Sequence, residues 1–232
     1  MHAGEPHPRP TVLADFILGS QDGLVNVLGI LLGLVVSVSD VRIIYIAALA
    51  ALAAESISMG AVAYTSTRAR RAHYLAEEKR ELGEMRELPD IERDEVRQIF
   101  RDWGYEGSEL EEMVRKIEAK PKAMLDLMMA FELHLAPVSA EQPLQSGLLV
   151  LGATVVGSLI PLLPFLASPG TLHADAIASV VVSGAMLFAI GWYEARSNLG
   201  NLWASGFRML VIGLAAGLGG FAIGLLANAR VF

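Results

Sequence analysis

Cysteine is missing altogether from this chain of 232 residues. That absence excludes disulfides, thiolate-held metals and a cysteine nucleophile, and it leaves the compartment open. Charge is missing from long stretches. No Lys, Arg, Asp or Glu occurs in residues 23–39, 142–174, 176–193 or 209–229, and residues 43–67 hold only Glu55. Each run approaches or exceeds the roughly 17–25 residues that a helix needs to cross a bilayer. Five such runs in one chain exclude a soluble globular domain. Positive charge is scarce too, with 18 Lys and Arg against 25 Asp and Glu and a net charge of −7. That balance excludes a nucleic-acid partner, which wants a basic footprint. No HExxH, no GxSxG elbow and no phosphate loop is present, so the chain reads as a non-enzyme without a prosthetic group. Residues 1–14 are too polar and proline-rich for a secretory signal peptide, so the first span is expected to act as its own insertion signal.

What is there is a concentrated ionic block. Residues 68–143 carry 13 of the 18 bases and 18 of the 25 acids, a surface that belongs in water. The fold class that follows is an all-α membrane protein, with five transmembrane helices and a cytoplasmic helical domain inserted between spans two and three. The divisions are an N-terminal cytoplasmic tail (1–14), spans one and two (15–67), the inserted domain (68–143) and spans three to five (144–232). Span two meets no proline until Pro89 and is expected to run on into water as one helix. Pro89-Asp90 stops it and caps a helix over 91–103; Gly104 and Gly107 break the chain, Ser108 caps a helix to Ala119, and a segment over 121–135 ends at Pro137. Arg68, Arg70 and Arg71 close span two, and Arg196 and Arg208 lie between spans four and five. The positive-inside rule then puts the N-terminus and the ionic block in the cytoplasm.

Two acids lie inside apolar spans. Asp22 sits in Gly19-Ser20-Gln21-Asp22-Gly23 with Asn26 one turn on, and Glu55 has Met59 at i+4 on its own face. An ionised side chain at the bilayer centre costs at least about 2.5–3.5 kcal/mol, so such residues line a pathway or meet a partner. The ionic block repeats acids at helical spacing. Glu77, Glu81 and Glu84 share one stripe, Glu92 and Glu95 share a face of the next helix, and Glu132 stands one turn after Met128 on an apolar segment. A solvated face paired with Lys79, Arg80 and Arg86 is the plain reading of that stripe. Carboxylates with a thioether on one face suit a first-row divalent ion instead. Gly213, Gly217, Gly220 and Gly224 in span five permit close helix packing, between protomers or within one. Pro161 and Pro164 predict a kink in span three.

Several segments together resemble the vacuolar iron transporter family: Asp22-Gly23-Leu24, Ser56-Ile57-Ser58-Met59-Gly60, Pro121 with residues 125–133, and residues 157–164 (GSLIPLLP). The resemblance covers the chain from about Asp15 onward. It implies a prokaryotic-type member: a five-span homodimer exporting Fe2+ from the cytoplasm in exchange for protons, with Mn2+ or Co2+ also accepted. Zn2+ joins the candidates because Glu and Met serve it as well, and the inner membrane of the cell is the location expected from the lack of targeting extensions. Carried over by motif, Glu81, Glu84, Glu92, Glu95, Met128 and Glu132 would bind metal in the inserted domain, with Glu77 added on spacing. Asp22 and Met59 would line the translocation pathway, joined by Asn26 and Glu55 on the residue reading. The family pattern has an acid at the position of Ala51, one turn before Glu55, so here the intramembrane acid is shifted. A passive divalent-cation channel and a membrane-anchored metal sensor are the rival readings.

Overall fold

The computed structural model describes residues 10–167, 171–198 and 200–230. Among these the chain is helical, in the order α1 (Pro10–Ser37), α2 (Val41–Glu87), α3 (Pro89–Asp102), α4 (Gly107–Glu118), α5 (Pro121–Phe131), α6 (Gln142–Ala167), α7 (Leu172–Ser197) and α8 (Leu202–Arg230). The proline-free stretch yields a single α2 of 47 residues. At 1.5 Å per residue it is about 70 Å long, more than twice the roughly 30 Å of bilayer hydrocarbon. Five helices, α1, α2, α6, α7 and α8, are long and apolar enough to cross a membrane. The chain divides into two compact units: unit 1 takes the residues up to Thr65 and from Leu144 onward, and unit 2 is Ser66–Pro143.

In unit 1, α1 is the central strut. Its Val27, Leu28, Leu31 and Leu32 are buried with Ile44 and Ala48 of α2, Leu162 and Phe165 of α6 and Ala176 of α7. Lipid tails are as apolar as leucine, so helices in a bilayer are held by close packing and hydrogen bonds rather than by hydrophobic burial. The glycines serve that packing. A Cβ at Gly220 would run into the carbonyl oxygen of Gly29, and one at Gly224 into that of Gly33. Gly213 is closed by Leu187 and Gly217 by Leu28. All four span-five glycines therefore pack α8 against α1 and α7 inside one protomer. Helix α6 runs through both Pro161 and Pro164, and the Ser179 hydroxyl donates to the Pro161 carbonyl at 2.7 Å. The Tyr45 hydroxyl donates in the same way to the carbonyl of Phe165.

Unit 2 closes around Val96, Phe100, Leu110, Val114, Met124 and Met128. Phe100 meets Trp103 and Tyr105 edge-on, and Trp103 meets Phe131. Arg93 pairs with Glu118, and Arg97 with Glu111 at 2.8 Å, tying α3 to α4. Three boundaries differ from the sequence expectation. Helix α3 starts at Pro89 with Leu88 as its N-cap, so Asp90 lies within the first turn and caps nothing. Gly107, at φ +57°, lets α4 begin one residue before Ser108, with Glu106 as N-cap. Helix α5 ends at Phe131, well before Pro137. The Glu132 and Leu133 amides both donate back to the Met128 carbonyl, and His134 takes a positive φ of 52°, a left-handed helix end normally made by glycine.

The glycine packing generates a paired test. Gly220→Ala should lower the unfolding midpoint of the purified protein by the equivalent of about 1–3 kcal/mol. Gly219→Ala, where nothing lies within 4 Å of the added Cβ, should leave it level or slightly raised. Thermal unfolding in one detergent measures both, and equal effects would show that the close approach carries no stability.

Candidate metal-binding and intramembrane sites

In unit 2 the acid stripe of α2 faces the first turns of α3. Glu81, Glu84 and Glu92 can each offer a carboxylate oxygen, and the three oxygens lie within 4.8 Å of one another. Glu81 and Glu92 are only 2% and 3% exposed, and each keeps one buried oxygen without a hydrogen-bond partner. Buried polar atoms are nearly always satisfied, and each exception wants a reason. A cation is one. Arg80 supplies part of the compensation, lying 2.8 Å from Glu77 and 3.7 Å from both Glu81 and Glu84.

Electrostatics ties further residues to this cluster. Burial, then repulsion by Glu95, Glu81, Glu84 and Glu132, pushes the Glu92 carboxyl up to about 7. Partial desolvation, then repulsion by Glu95, Glu81 and Glu84, carries Glu132 to about 7 as well, with Arg80 pulling it back. Glu95 is raised by burial and by Glu84. Five carboxylates from α2, α3 and the end of α5 thus share one field. Met128 is fully buried in the unit 2 core. Glu77 sits at the edge, on Arg80 and 3.9 Å from His73. Asp94 and Glu111 lie off this stripe and are both taken by Arg97.

Unit 1 holds a second group of acids. The Asn26 amide on α1 donates to Glu55 Oε1 on α2 at 2.5 Å, and the other Glu55 oxygen is buried without a donor. Asp22 is near enough to act on the same carboxyl. Met59 is half-buried one turn further along α2. Asp22 and Asn26 are themselves exposed on α1. Asp22 lines a groove of about 240 Å³ beside Gln21, Ile212 and Ala216, and Asn26 lines one of about 480 Å³ beside Gly220 and Ile223. Both grooves lie between α1 and α8.

Compared with known families, the VIT family model matches residues 13–225. The chain belongs to the VIT family. It is 33% identical over 212 residues to "Vacuolar iron transporter 1" of Arabidopsis thaliana, covering 91% of this chain and 84% of that one. It is 34% identical to "Vacuolar iron transporter 2" of Oryza sativa subsp. japonica, over 91% of this chain and 86% of that one. It is 25% identical to "Protein CCC1" of Saccharomyces cerevisiae, over 94% of this chain and 70% of that one. Together with five apolar helices, membership makes this VIT-family chain a multi-pass integral membrane protein.

Two features of this VIT-family protein lay outside the candidate set read from sequence. In the sequence Arg80 reads only as a surface pair, although its i+3 and i−4 spacing to Glu77 and Glu84 puts it on their stripe. Ser56, next to Glu55, is 3% exposed with an unpartnered hydroxyl, and no periodicity distinguishes it from a packing serine.

The raised carboxyls set a pH dependence. Protonated Glu92 and Glu132 belong to the folded unit, so the stability they lend is full below their ordinary 4.5 and is lost as pH rises through about 7. Hydrogen-exchange protection of α3 in the whole protein, free of divalent ions, should therefore fall between pH 5 and pH 8. Mn2+ should restore it at pH 8, and Glu92→Gln should flatten the slope. Protection that holds or rises over that range would contradict the assignment.

Proposed function

We propose that this protein exports divalent transition-metal ions, Fe2+ foremost and Mn2+, Co2+ or Zn2+ as alternatives, from the cytoplasm in exchange for protons. The observation that carries the reading is the Asn26–Glu55 hydrogen bond between two apolar helices, with Asp22 one turn before Asn26, in a chain whose relatives are named vacuolar iron transporters. Two carboxyls gathered in an apolar setting need either a cation or protons beside them, and a site that accepts both in alternation couples their movements. Asn26 and Met59 complete a mixed oxygen and thioether lining that suits a first-row ion better than Mg2+ or Ca2+.

Unit 2 is the cytoplasmic metal-binding domain in this scheme. Glu81, Glu84 and Glu92 form the capture site, with Glu95, Glu132 and Glu77 around it and Met128 as the candidate thioether. Binding there raises the local ion concentration before transfer. The orientation is supported by Arg68, Arg70 and Arg71 after span two and by Arg196 and Arg208 between α7 and α8. A homodimer follows from Asp22 and Asn26. They are exposed in grooves of a membrane-spanning unit, where contact with lipid is costly. A second protomer covering these grooves encloses the pathway between two copies. By the same reading the protein works in the cell's inner membrane, relieving cytoplasmic metal excess.

The test is Fe2+ flux into proteoliposomes, with and without a pH gradient and with the membrane potential clamped. Gradient-driven flux with opposite proton movement is expected. Flux indifferent to the gradient would make the protein a channel, and binding without flux would make it a sensor. Asp22→Ala should bring flux to background, a loss of about tenfold or more, with dimer assembly intact; full activity in that variant would overturn the pathway.

A further inference from the structure

A third groove, of about 830 Å³, lies on unit 1 where α1 and α6 begin and α7 ends. Phe16 and Ile17 of α1, Leu149 of α6, and Ala189, Ile190 and Tyr193 of α7 are among its walls, and none of its described lining residues is charged. It is open along the apolar surface of membrane-spanning helices and holds none of the intramembrane acids. Its volume is in the range, roughly 300–1,000 Å³, of sites that hold small molecules.

The chemistry changes at one end. Tyr193, 55% exposed, is followed one turn on by Arg196, which also lies two turns beyond Ala189 on one line of α7 (i, i+7). Arg196 is exposed, and among the described residues it has no ion-pair partner. The acids nearest in sequence are otherwise placed. Asp15, beside Phe16, accepts a hydrogen bond from Ser146 at 2.6 Å, and Glu194, half-buried, stands one turn after Ile190 on the flank of α7 opposite Arg196. At the same end Trp192 of α7 meets Trp203 of α8 with centroids 4.8 Å apart, and Trp203 and Phe207 are exposed. Tyr and Trp concentrate where hydrocarbon gives way to headgroups, so this end of α7 and α8 lies at headgroup level. Arginine there can reach the phosphates with its long stem along apolar surface.

We propose that this groove is a phospholipid site: an acyl chain lies along Phe16, Leu149 and Ala189, and Arg196 binds an anionic headgroup with Tyr193 at the boundary. A second copy fits less well. A two-fold contact would bring the same surface onto itself, setting the two Arg196 side chains together with no carboxylate among the described lining residues to meet them.

The experiment is native mass spectrometry of the whole protein, released from detergent with equal amounts of phosphatidylglycerol and phosphatidylcholine. Phosphatidylglycerol should be retained about fivefold over phosphatidylcholine, one molecule per protomer, the preference one well-placed basic residue supplies. Arg196→Gln should equalise the two lipids. Arg208→Gln, on α8 where Arg208 donates to Ser205 at 2.8 Å, should leave the preference intact. Ala189→Trp should displace the lipid without lowering the unfolding midpoint. No headgroup preference in the parent protein, or a preference that survives Arg196→Gln, would overturn the proposal. So would crosslinking between copies through Ala189→Cys, a lone thiol in this cysteine-free chain. Should Ala189→Trp fail to fold, the two arginine variants decide.

Discussion

Close backbone approach around α1 is the constraint on which unit 1 depends. Hydrocarbon offers no hydrophobic reward for bringing helices together, so contact has to come from fitting surfaces. Asp22, Asn26, Gly29 and Gly33 follow one another at i, i+4, i+7 and i+11, one line along α1. The glycine half of that line is closed by Gly220 and Gly224 of α8. Asp22 and Asn26 sit in grooves beside the same helix, and the Asn26 groove continues past Gly29 and Gly33 along Gly220 and Gly224. Side chains larger than glycine on the closed half would push α8 away and remove the wall of those grooves. The small residues thus shape the place where the acids sit without touching an ion themselves.

Unit 2 solves a different problem, since its acids repel one another. Glu81, Glu84, Glu92, Glu95 and Glu132 are gathered by three helix segments whose shared core, Val96 to Met128, has no say in their charge. The cost of gathering them appears as carboxyls held near neutrality at about 7 and as buried oxygens lacking donors. Arg80 offsets part of it, 3.7 Å from Glu81 and from Glu84 while paired with Glu77 at 2.8 Å. Held at the edge by Glu77 and only loosely by the other two, it would yield its place between them to a divalent ion with little rearrangement.

How much of this was legible follows from what periodicity can encode. The five spans and the unbroken α2 were readable because an apolar run and the absence of proline are properties of consecutive residues. The stripe Glu77–Glu81–Glu84 was readable for the same reason. The ends of the short helices were not. Asp90 and Ser108 carry capping chemistry, yet Pro89 at the first helical position and Gly107 at positive φ start each helix earlier. His134 closes α5 in a conformation that sequence assigns to glycine. The bond between Asn26 and Glu55 joins residues 29 apart on two helices, and no spacing rule connects positions across a turn. Nor did the glycines of α8 reveal which surface they pack against, since packing within a protomer and between protomers asks for the same small residues.

The two acid groups also differ in what they oppose to a cation, and the difference bears on the proposed direction of transfer. The proposed capture site sets several carboxylates around one arginine, so a divalent ion entering it would gain many oxygens and displace one positive charge. The intramembrane site has two carboxyls, an amide and a thioether. No arginine or lysine lies in the apolar stretches that carry Asp22 and Glu55. Conduction requires a site favourable enough to enter and weak enough to leave. A fixed cation at Glu55 would satisfy its charge permanently and leave nothing for an ion to replace. Asn26 satisfies one oxygen by a neutral donor and leaves the other without one. In the proposed exchange, that arrangement would keep the carboxyl oriented while its charge stays available to whichever cation arrives, metal or proton.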